Sequence, residues 1–344
     1  MRLKMLSVLL LSLLILSSFG SATANGNKGQ QYKVLKILEY RGNRYSIPYG
    51  AYILHENGRT LIYDKTHKLI VSVDDDNVQK INVPTRGKVP VTYVYQVPSG
   101  AYIRHKTGRI KVIYNGETIL TIINKHKQKT LKNENHVIVP DFNGWIEQAN
   151  DWSVSEITYF SAYWDVPSPP STTRSVIFLF PAIEPSDGSA IIQPVLEWNR
   201  RGAPKWTIAS WYGSNGDYFY STPIDVSVGD TIHGIMDWHE NLAMWSVETC
   251  DETTSKCTTL YTDIFGPSGD AVFIALEGYY IADKKDLPGD TYFYRIQTYN
   301  SNGEFYPDWK PVVDQTAQQV VGGGLDVEIH YYYGETGIWL LTPN

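Results

Sequence analysis

Residues 189–198 read SAIIQPVLEW, an apolar run with β-branched residues that is typical of a β-strand. Side chains two positions apart along a strand share a face of the sheet. Gln193, Val195 and Glu197 therefore point to one side, while Ile192 and Leu196 point to the other. The strand thus carries an amide and a carboxyl group on one side. Solvated polar residues on a strand face are the ordinary explanation, and a functional face is the alternative.

The same alternation occurs in FIALEGYY at 273–280, where Phe273, Ala275, Glu277 and Tyr279 share a face. If this face and that of Gln193 form the concave side of one sheet, the two polar side chains converge there. Partial desolvation raises the pKa of a carboxyl group, and a carboxyl group with a raised pKa can act as a general acid or base. The spacing therefore indicates a possible catalytic pair about eighty residues apart in the chain.

Short runs with period-two alternation continue from residue 157 almost to the end, separated by turn sequences such as PSDGS, GSNGD and LPGD. Helical periodicity is almost absent from this part of the chain. The pattern predicts an all-β fold, an antiparallel β-sandwich in which residues 141–344 form one domain.

Charge divides the chain into two parts, although the 344 residues carry a net charge of only −6. Residues 25–140 contain 19 Lys and Arg against 8 Asp and Glu, whereas residues 141–344 contain 9 against 28. All ten tryptophans lie in the acidic part. This break predicts a domain boundary near 125–140. Because the basic part has an acidic partner in its own chain, we expect it to dock there as a propeptide and not to bind nucleic acid.

An internal repeat with an offset of fifty residues occupies the basic part. IPYGAYILHENGR begins at Ile47 and VPSGAYIRHKTGR begins at Val97, and His55 and His105 recur in register. Alternating apolar positions flank Asn57-Gly58 and Thr107-Gly108, which predicts a small β-hairpin unit in each copy. The two histidines are isolated in sequence, so we expect structural roles for them.

The N-terminal residues 1–24 have a basic start, a short apolar core and the small residues ATA, as a secretory signal does. No later segment is apolar enough to cross a bilayer, so we expect an exported protein without a membrane anchor after signal removal. Cys250 and Cys257 are seven positions apart in a polar, turn-rich stretch. In an exported chain they predict a local disulfide, and no clustered ligands indicate a metal site.

The order of these segments resembles the eqolisins, a family of glutamic peptidases, over about residues 141–335. NGWIEQA at 143–149 and FSAYWDVPSPP at 160–170 are similar to the opening strands of that family's catalytic domain. IIQPVLEW matches the strand with the catalytic glutamine at Gln193, and FIALEGYY matches the strand with the catalytic glutamate at Glu277. Pro194 and Gly278 depart from the family pattern.

The resemblance implies a secreted, acid-acting endopeptidase that is made as a zymogen with a basic propeptide. Glu277 would take a proton from water, and Gln193 would hold that water and donate to the oxyanion. Such a mechanism needs no metal and no cofactor. Its partners would be protein or peptide substrates and the chain's own propeptide. We expect four further residues to bind substrate: Glu197, Trp211, Tyr212 and Tyr279.

Two other functions fit the same pattern. The first is a sugar-binding or glycoside-hydrolysing sandwich of the concanavalin A-like jelly-roll type, with Glu197 and Glu277 as its carboxyl pair and aromatic residues as platforms. Such a glucanase should tolerate loss of Gln193 and fail without Glu197, whereas a glutamic peptidase should show the reverse. The second is a non-catalytic surface module that keeps its basic part permanently.

Overall fold

Strands make up most of the structure, as the alternating sequence predicts. The computed structural model describes residues 33–125 and 141–343, apart from residues 215, 268, 269 and 333. The signal sequence and nearly all of the 125–140 boundary lie outside the described residues. We call residues 33–125 the N-terminal half and residues 141–343 the C-terminal half.

The N-terminal half contributes eleven strands in its described residues. They are β1 (Val34–Tyr40), β2 (Asn43–Pro48), β3 (Ala51–Glu56), β4 (Arg59–Tyr63), β5 (Leu69–Asp74), β6 (Lys80–Val83), β7 (Gly87–Pro90), β8 (Val94–Val97), β9 (Ala101–Lys106), β10 (Arg109–Tyr114) and β11 (Glu117–Asn124). Short 3-10 turns lie at Asp75–Asn77 and Val91–Tyr93.

The C-terminal half contributes the remaining strands and one short helix, α1 (Gln315–Val321). Its first strands are β12 (Phe142–Asp151), β13 (Tyr159–Asp165), β14 (Val176–Pro185), β15 (Ala190–Trp198), β16 (Trp206–Ser214), β17 (Asp217–Ser221), β18 (Ile224–Val226) and β19 (Thr231–His239). The others are β20 (Met244–Asp251), β21 (Lys256–Thr262), β22 (Asp270–Ile281), β23 (Thr291–Asn300), β24 (Gly303–Glu304), β25 (Lys310–Val313), β26 (Asp326–Tyr332) and β27 (Glu335–Leu341). A 3-10 turn covers Lys284–Asp286.

Two large sheets hold almost all of these strands, and the all-β prediction is confirmed. The larger, 14-stranded sheet has the order β26-β27-β23-β13-β19-β20-β21-β9-β10-β11-β3-β4-β5, with β24 beside β23. The 9-stranded sheet has the order β25-β12-β22-β14-β15-β16-β17-β8, with β18 beside β16. Within the C-terminal half, every strand pair in both sheets is antiparallel among the described residues.

The fifty-residue repeat forms two three-stranded units, β3–β5 and β9–β11. Asn57 and Gly58 both have positive φ, 55° and 71°, so the β3–β4 turn has the geometry that an Asn-Gly hairpin favours. The predicted hairpins are therefore present, and each gains a third strand. The units join through a parallel pairing of β11 with β3.

Both large sheets are shared between the N- and C-terminal halves. β9 pairs in parallel with β21, and β8 pairs in parallel with β17. Hydrogen bonds between strands thus extend the C-terminal sandwich into the N-terminal half at two edges. A propeptide boundary at 125–140 remains a prediction, and release at that point would have to break both pairings.

The main apolar core lies between the two sheets. Leu196 and Leu276 on the smaller sheet and Trp164 and Trp245 on the larger one are all at most 1% exposed. Pro194 also points into this core, where an added side chain at Gly234 would lie only 2.8 Å from it. A close approach of this kind explains why Gly234 carries no side chain.

Pro194 lies in a central strand, where a missing N–H group would normally leave a partner unsatisfied. The ladder between β14 and β15 pairs Leu179 with Leu196 and Ile183 with Ile192, which brings Pro181 opposite Pro194. Two residues without an N–H group therefore face each other. The proline after Gln193 thus interrupts the ladder on both strands at the same place.

No helix among the described residues is long and apolar enough to cross a membrane.

Candidate functional site

The face of the 9-stranded sheet that points away from the main core is covered by the N-terminal half. Its central residues are apolar, with Phe178 and Phe180 from β14 and Phe273 from β22. Val83 and Val89, from the β6–β7 hairpin, join the same apolar cluster and are 0% and 6% exposed. We call this surface the covered face, and we call residues 80–90 hairpin 80–90.

Glu277 lies at the centre of the covered face and is 1% exposed. The register pairs it with Trp145 on β12 and with Phe178 on β14. The Tyr279 hydroxyl donates a hydrogen bond to its Oε1 atom. Strand alternation in β22 places both side chains on the same face, as the sequence predicts.

The tip of hairpin 80–90 contacts Glu277 directly. The backbone N–H group of Thr85 donates to Glu277 Oε2 at 2.7 Å. Thr85 has a φ of 67°, in the left-handed region that β-branched residues rarely adopt. Its hydroxyl donates to the Pro84 carbonyl oxygen at 2.7 Å. A strained backbone that is held against a buried carboxyl group is typical of a functional contact.

Burial raises the pKa of Glu277 to about 7, and this is the largest influence on the group. The hydrogen bonds from Tyr279 and Thr85 and the charge of Arg86 act in the opposite direction. Because burial disfavours the charged form, the carboxyl group titrates near neutrality while the face is covered. Glu277 can therefore exchange a proton in a range where an ordinary glutamate is fully ionised.

Gln193 lies on the same face of the same sheet and is 2% exposed. Within the described residues, its buried Oε1 atom has no hydrogen-bond partner. The register places Glu197, not Gln193, opposite Phe178 and hence in line with Glu277. Gln193 is four residues further along β15. In a flat sheet this offset corresponds to roughly 16 Å between the Cα atoms of Gln193 and Glu277.

The prediction that Gln193 and Glu277 share a face agrees with the strand register, but the covered arrangement leaves them apart along the strands. Their convergence on one water molecule remains a prediction. Closure of the gap would need a change in the sheet or a substrate that extends between the two side chains.

Glu197 is fully buried in a polar network. Trp211 Nε1 donates to its Oε1 atom at 2.6 Å, and Arg200 Nε and Thr207 Oγ1 donate to its Oε2 atom at 3.0 and 3.1 Å. The Arg200 guanidinium also stacks over the rings of Trp211 and Tyr220. Both oxygens of Glu197 are thus used, which fits a structural ion pair better than a group that contacts substrate.

The other predicted substrate-binding residues have different positions. Trp211 is 1% exposed and lies within the Glu197 network. Tyr279 is 6% exposed and contacts Glu277. Tyr212 faces the main core and pairs with His105, so it does not line the covered face. Cys250 and Cys257 form the predicted disulfide, across the β20–β21 pairing.

The repeated histidines connect the two halves of the chain. His55 contacts Tyr95 and lies 3.6 Å from the buried Asp217. His105 contacts Asp263 at 2.7 Å and the Tyr212 hydroxyl at 2.6 Å. Their placement agrees with the structural roles that the sequence indicates, since each histidine joins the basic half to an acid of the other half.

Three residues of this site have no obvious signal in the sequence. Thr85 and Arg86 form the hairpin tip, and Glu184 extends from β14 on the side of the covered face. Arg86 Nη2 donates to the Gly188 carbonyl oxygen at 3.2 Å. The segment VPTRGKVP at 83–90 does indicate a turn, through its prolines and Gly87. Its contact partner, 192 residues away, cannot be deduced from the turn itself.

No family model matches this chain, and no curated protein matches it in sequence. Among solved structures, it is similar to scytalido-glutamic peptidase with a transition state analog inhibitor, at 14% identity and a TM-score of 0.41, covering 58% of this chain and 98% of the other. SCP-B, an eqolisin family peptidase in a complex with the tripeptide Ala-Ile-His, has the same identity and TM-score, with 59% and 99% covered. A Bacillus licheniformis β-glucanase has 9% identity and a TM-score of 0.20, with 77% and 91% covered. Likeness of this extent carries no functional conclusion.

Proposed function

We propose that this protein is a secreted glutamic endopeptidase, active in acid, that hydrolyses peptide bonds with Glu277 as its acid–base residue. The observation that carries the proposal is the hydrogen bond from the Thr85 backbone to Glu277. A peptide N–H group lies against a buried carboxyl group whose pKa is raised to about 7. A peptidase must bring its acid–base residue to the nitrogen of the scissile bond, and this contact involves the nitrogen of a peptide bond.

In the proposed reaction, ionised Glu277 removes a proton from water as the oxygen attacks the scissile carbonyl carbon. The protonated Glu277 then gives that proton to the leaving nitrogen, which breaks the C–N bond and restores the carboxylate. Once the hairpin leaves, water reaches the site and the burial effect weakens. Because burial is the largest influence on the pKa, we expect the uncovered carboxyl group to titrate at a more acidic pH.

Gln193 is assigned to binding of the substrate. Its buried Oε1 atom has no partner in the described residues and can accept a hydrogen bond from a peptide N–H group, since a buried amide oxygen is normally hydrogen-bonded. Donation from its Nε2 group to the developing oxyanion would require the sheet to bring Gln193 and Glu277 closer together.

The N-terminal half is assigned to the role of propeptide, and the protein to that of a zymogen. Two arrangements support this assignment. Hairpin 80–90 covers the face that bears Glu277, and the Thr85 backbone N–H group donates to that carboxyl group. The hairpin therefore occupies the position that a substrate would need. The difference in charge between the halves also favours their association at neutral pH.

The test is hydrolysis of a denatured protein substrate from pH 2 to pH 7 by the full chain after acid treatment. We expect Glu277→Gln to remove activity at every pH, since the glutamine cannot take up or release the proton. Gln193→Ala should lower activity by about 100-fold, the usual effect of losing an oxyanion donor. Glu197→Gln, a matched change of a buried acid on the same face, should retain activity in the molecules that fold.

Undiminished hydrolysis by Glu277→Gln would remove this residue from the mechanism. Loss of activity in Glu197→Gln with retention in Gln193→Ala would instead favour a glycoside hydrolase, which can be examined with β-glucan as the substrate. A chain that stays intact and hydrolyses neither substrate after acid treatment would support the non-catalytic module.

A further inference from the structure

We propose that the covered face contains a subsite for a basic side chain, formed by the Glu184 carboxylate, the Gly188 carbonyl and the Tyr218 hydroxyl. Arg86 of the hairpin occupies this subsite, and a substrate with Arg or Lys at the matching position would replace it. The inference rests on the proposed function, because it names the class of peptide that the same site would take.

The contacts of Arg86 provide the evidence for this subsite. Its side chain is exposed, so burial of apolar surface does not explain its position. Nη2 donates to the Gly188 carbonyl oxygen at 3.2 Å across 102 residues of sequence. The guanidinium also lies beside the Tyr218 hydroxyl, where its charge opposes the effect of burial on the pKa of that group. Three parts of the chain thus meet at one cation.

Glu184 supplies the charge that a cation would need. It is an even number of positions from Phe178 and Phe180 along β14, so its side chain lies on the same face, the covered face. The carboxyl group is partly buried, and burial raises its pKa while the charge of Arg86 lowers it. In the described ranges, no side chain or backbone group forms a hydrogen bond or ion pair with Glu184. The carboxylate therefore has no fixed partner among the residues that the structure describes, and it lies beside Gly188, whose carbonyl oxygen accepts the Arg86 hydrogen bond.

Gly188 allows this arrangement. It has a φ of 65°, and a Cβ atom at this position would lie 3.2 Å from Glu184 Oε1. The turn at 185–188 can therefore pass close to the carboxylate while its carbonyl oxygen points to the guanidinium. An oxygen from the backbone and an acid on the neighbouring strand together favour a group with several N–H donors, as an arginine has.

The position of the subsite relative to Glu277 follows from the chain order. Thr85 brings its nitrogen to Glu277, and Arg86 is the next residue. In a bound peptide, the preferred basic residue would therefore follow the residue whose nitrogen meets Glu277. Removal of the hairpin takes the charge of Arg86 away from Glu184, and a substrate with a basic residue brings a cation back to the same place.

The experiment uses the full chain with Thr85→Pro, which removes the N–H donor and cannot adopt the positive φ, so that the tip leaves the face. Two fluorescent peptides with the sequence QKINVPTRGKVP are compared by anisotropy. One contains arginine, and the other contains citrulline in its place, which keeps the shape and removes the charge. We expect about fivefold to tenfold tighter binding of the arginine peptide, as for a partly exposed charge pair.

Glu184→Gln in the same background should reduce the difference between the peptides to less than about twofold. Glu304→Gln is the control, since Glu304 is an exposed acid on β24 in the other large sheet, and it should preserve the difference. Equal binding of both peptides, binding of neither, or a difference that survives Glu184→Gln would overturn the proposal.

A second measurement keeps the test independent of the peptides. In the otherwise unchanged chain, hydrogen exchange at the hairpin amides reports how often the tip opens. Arg86→Gln and Glu184→Gln should each increase exchange, and the double variant should add little to either. Fully additive effects would show that the two side chains do not interact. Selective binding without hydrolysis would leave the subsite intact and overturn only the peptidase.

Discussion

The backbone of Thr85 and the carboxyl group of Glu277 form a hydrogen bond of 2.7 Å between residues 192 positions apart. One belongs to the basic half and the other to the acidic half of the chain. The bond brings a strained hairpin tip to a buried carboxyl group whose pKa is raised to about 7, a value that suits acid–base chemistry.

Thr85→Pro should uncover Glu277. At pH 4 the covered Glu277 carboxyl group is protonated, because burial raises its pKa to about 7. A hydrogen bond between neutral groups contributes about 0.5–1.5 kcal/mol, so its loss should increase opening of the hairpin by roughly 2- to 10-fold. The measurement is peptide hydrolysis at pH 4 without prior acid treatment. Thr85→Gly retains the N–H group and accepts the positive φ, and it should remain as latent as the original chain. Equal activity of both variants would show that this hydrogen bond does not keep the chain inactive.

The protein should become more stable as the pH falls from 9 to about 5. Burial raises the pKa of Glu277 to about 7, of Asp217 to about 7 and of Glu147 to about 9. Between the ordinary and the raised pKa the native state binds more protons than the unfolded state. The stabilisation is therefore complete below the ordinary values and is lost as the pH rises through 7 to 9.

Glu277→Gln checks the share of one group in this pH dependence. Its pKa shift corresponds to about 3 kcal/mol, so the variant should lose roughly that much of the difference in unfolding free energy between pH 8 and pH 5. Urea unfolding at the two pH values is the measurement. Gln193→Ala serves as the control because the amide does not titrate, and an equal loss there would contradict the assignment.

Glu197→Ala should destabilise the fold by about 3–5 kcal/mol, since it leaves Arg200 as an uncompensated charge in the sheet. Arg200→Met together with Glu197→Met should cost much less, because both charges are removed. Chemical denaturation would measure the free energy of unfolding of the original chain, of Glu197→Ala and of the double variant. If Glu197→Ala unfolds like the original chain, the ion pair has no structural role and a contact with substrate becomes the better explanation.

Replacement of both Cys250 and Cys257 by alanine should lower the free energy of unfolding by about 2–3 kcal/mol, from the short loop that the disulfide closes. The disulfide lies away from the covered face, in the other large sheet. Acid-activated hydrolysis by the folded variant should therefore equal that of the original chain. A selective loss of activity would contradict a purely structural role.

Local patterns in the sequence predicted much of the fold. Alternation defined the strands, Asn57-Gly58 defined a hairpin, and the parity of Gln193 and Glu277 agrees with their common face. The offset between these two side chains depends on strand register, which parity does not determine. Nor could the parallel pairings of β8 and β9 be predicted, because backbone hydrogen bonds at strand edges require no particular side chains.

The candidate site was predicted in part for the same reason. The alternation of its own strand identified Glu277 as a candidate site residue. Thr85 contacts it through the backbone N–H group, and such a donor does not depend on the residue type, so the sequence does not reveal it. Glu197 resembled a site residue because a buried ion pair and a catalytic acid look alike until their partners are known.

The shared sheets have a consequence for the fate of a cleaved chain. Loss of the N-terminal half would leave β17 and β21 as edge strands, each with a row of unpaired backbone N–H and C=O groups. Unpaired strand edges of this kind can pair with those of another copy, so a fragment without the N-terminal half would tend to aggregate. The N-terminal half would thus protect these two strands from intermolecular pairing.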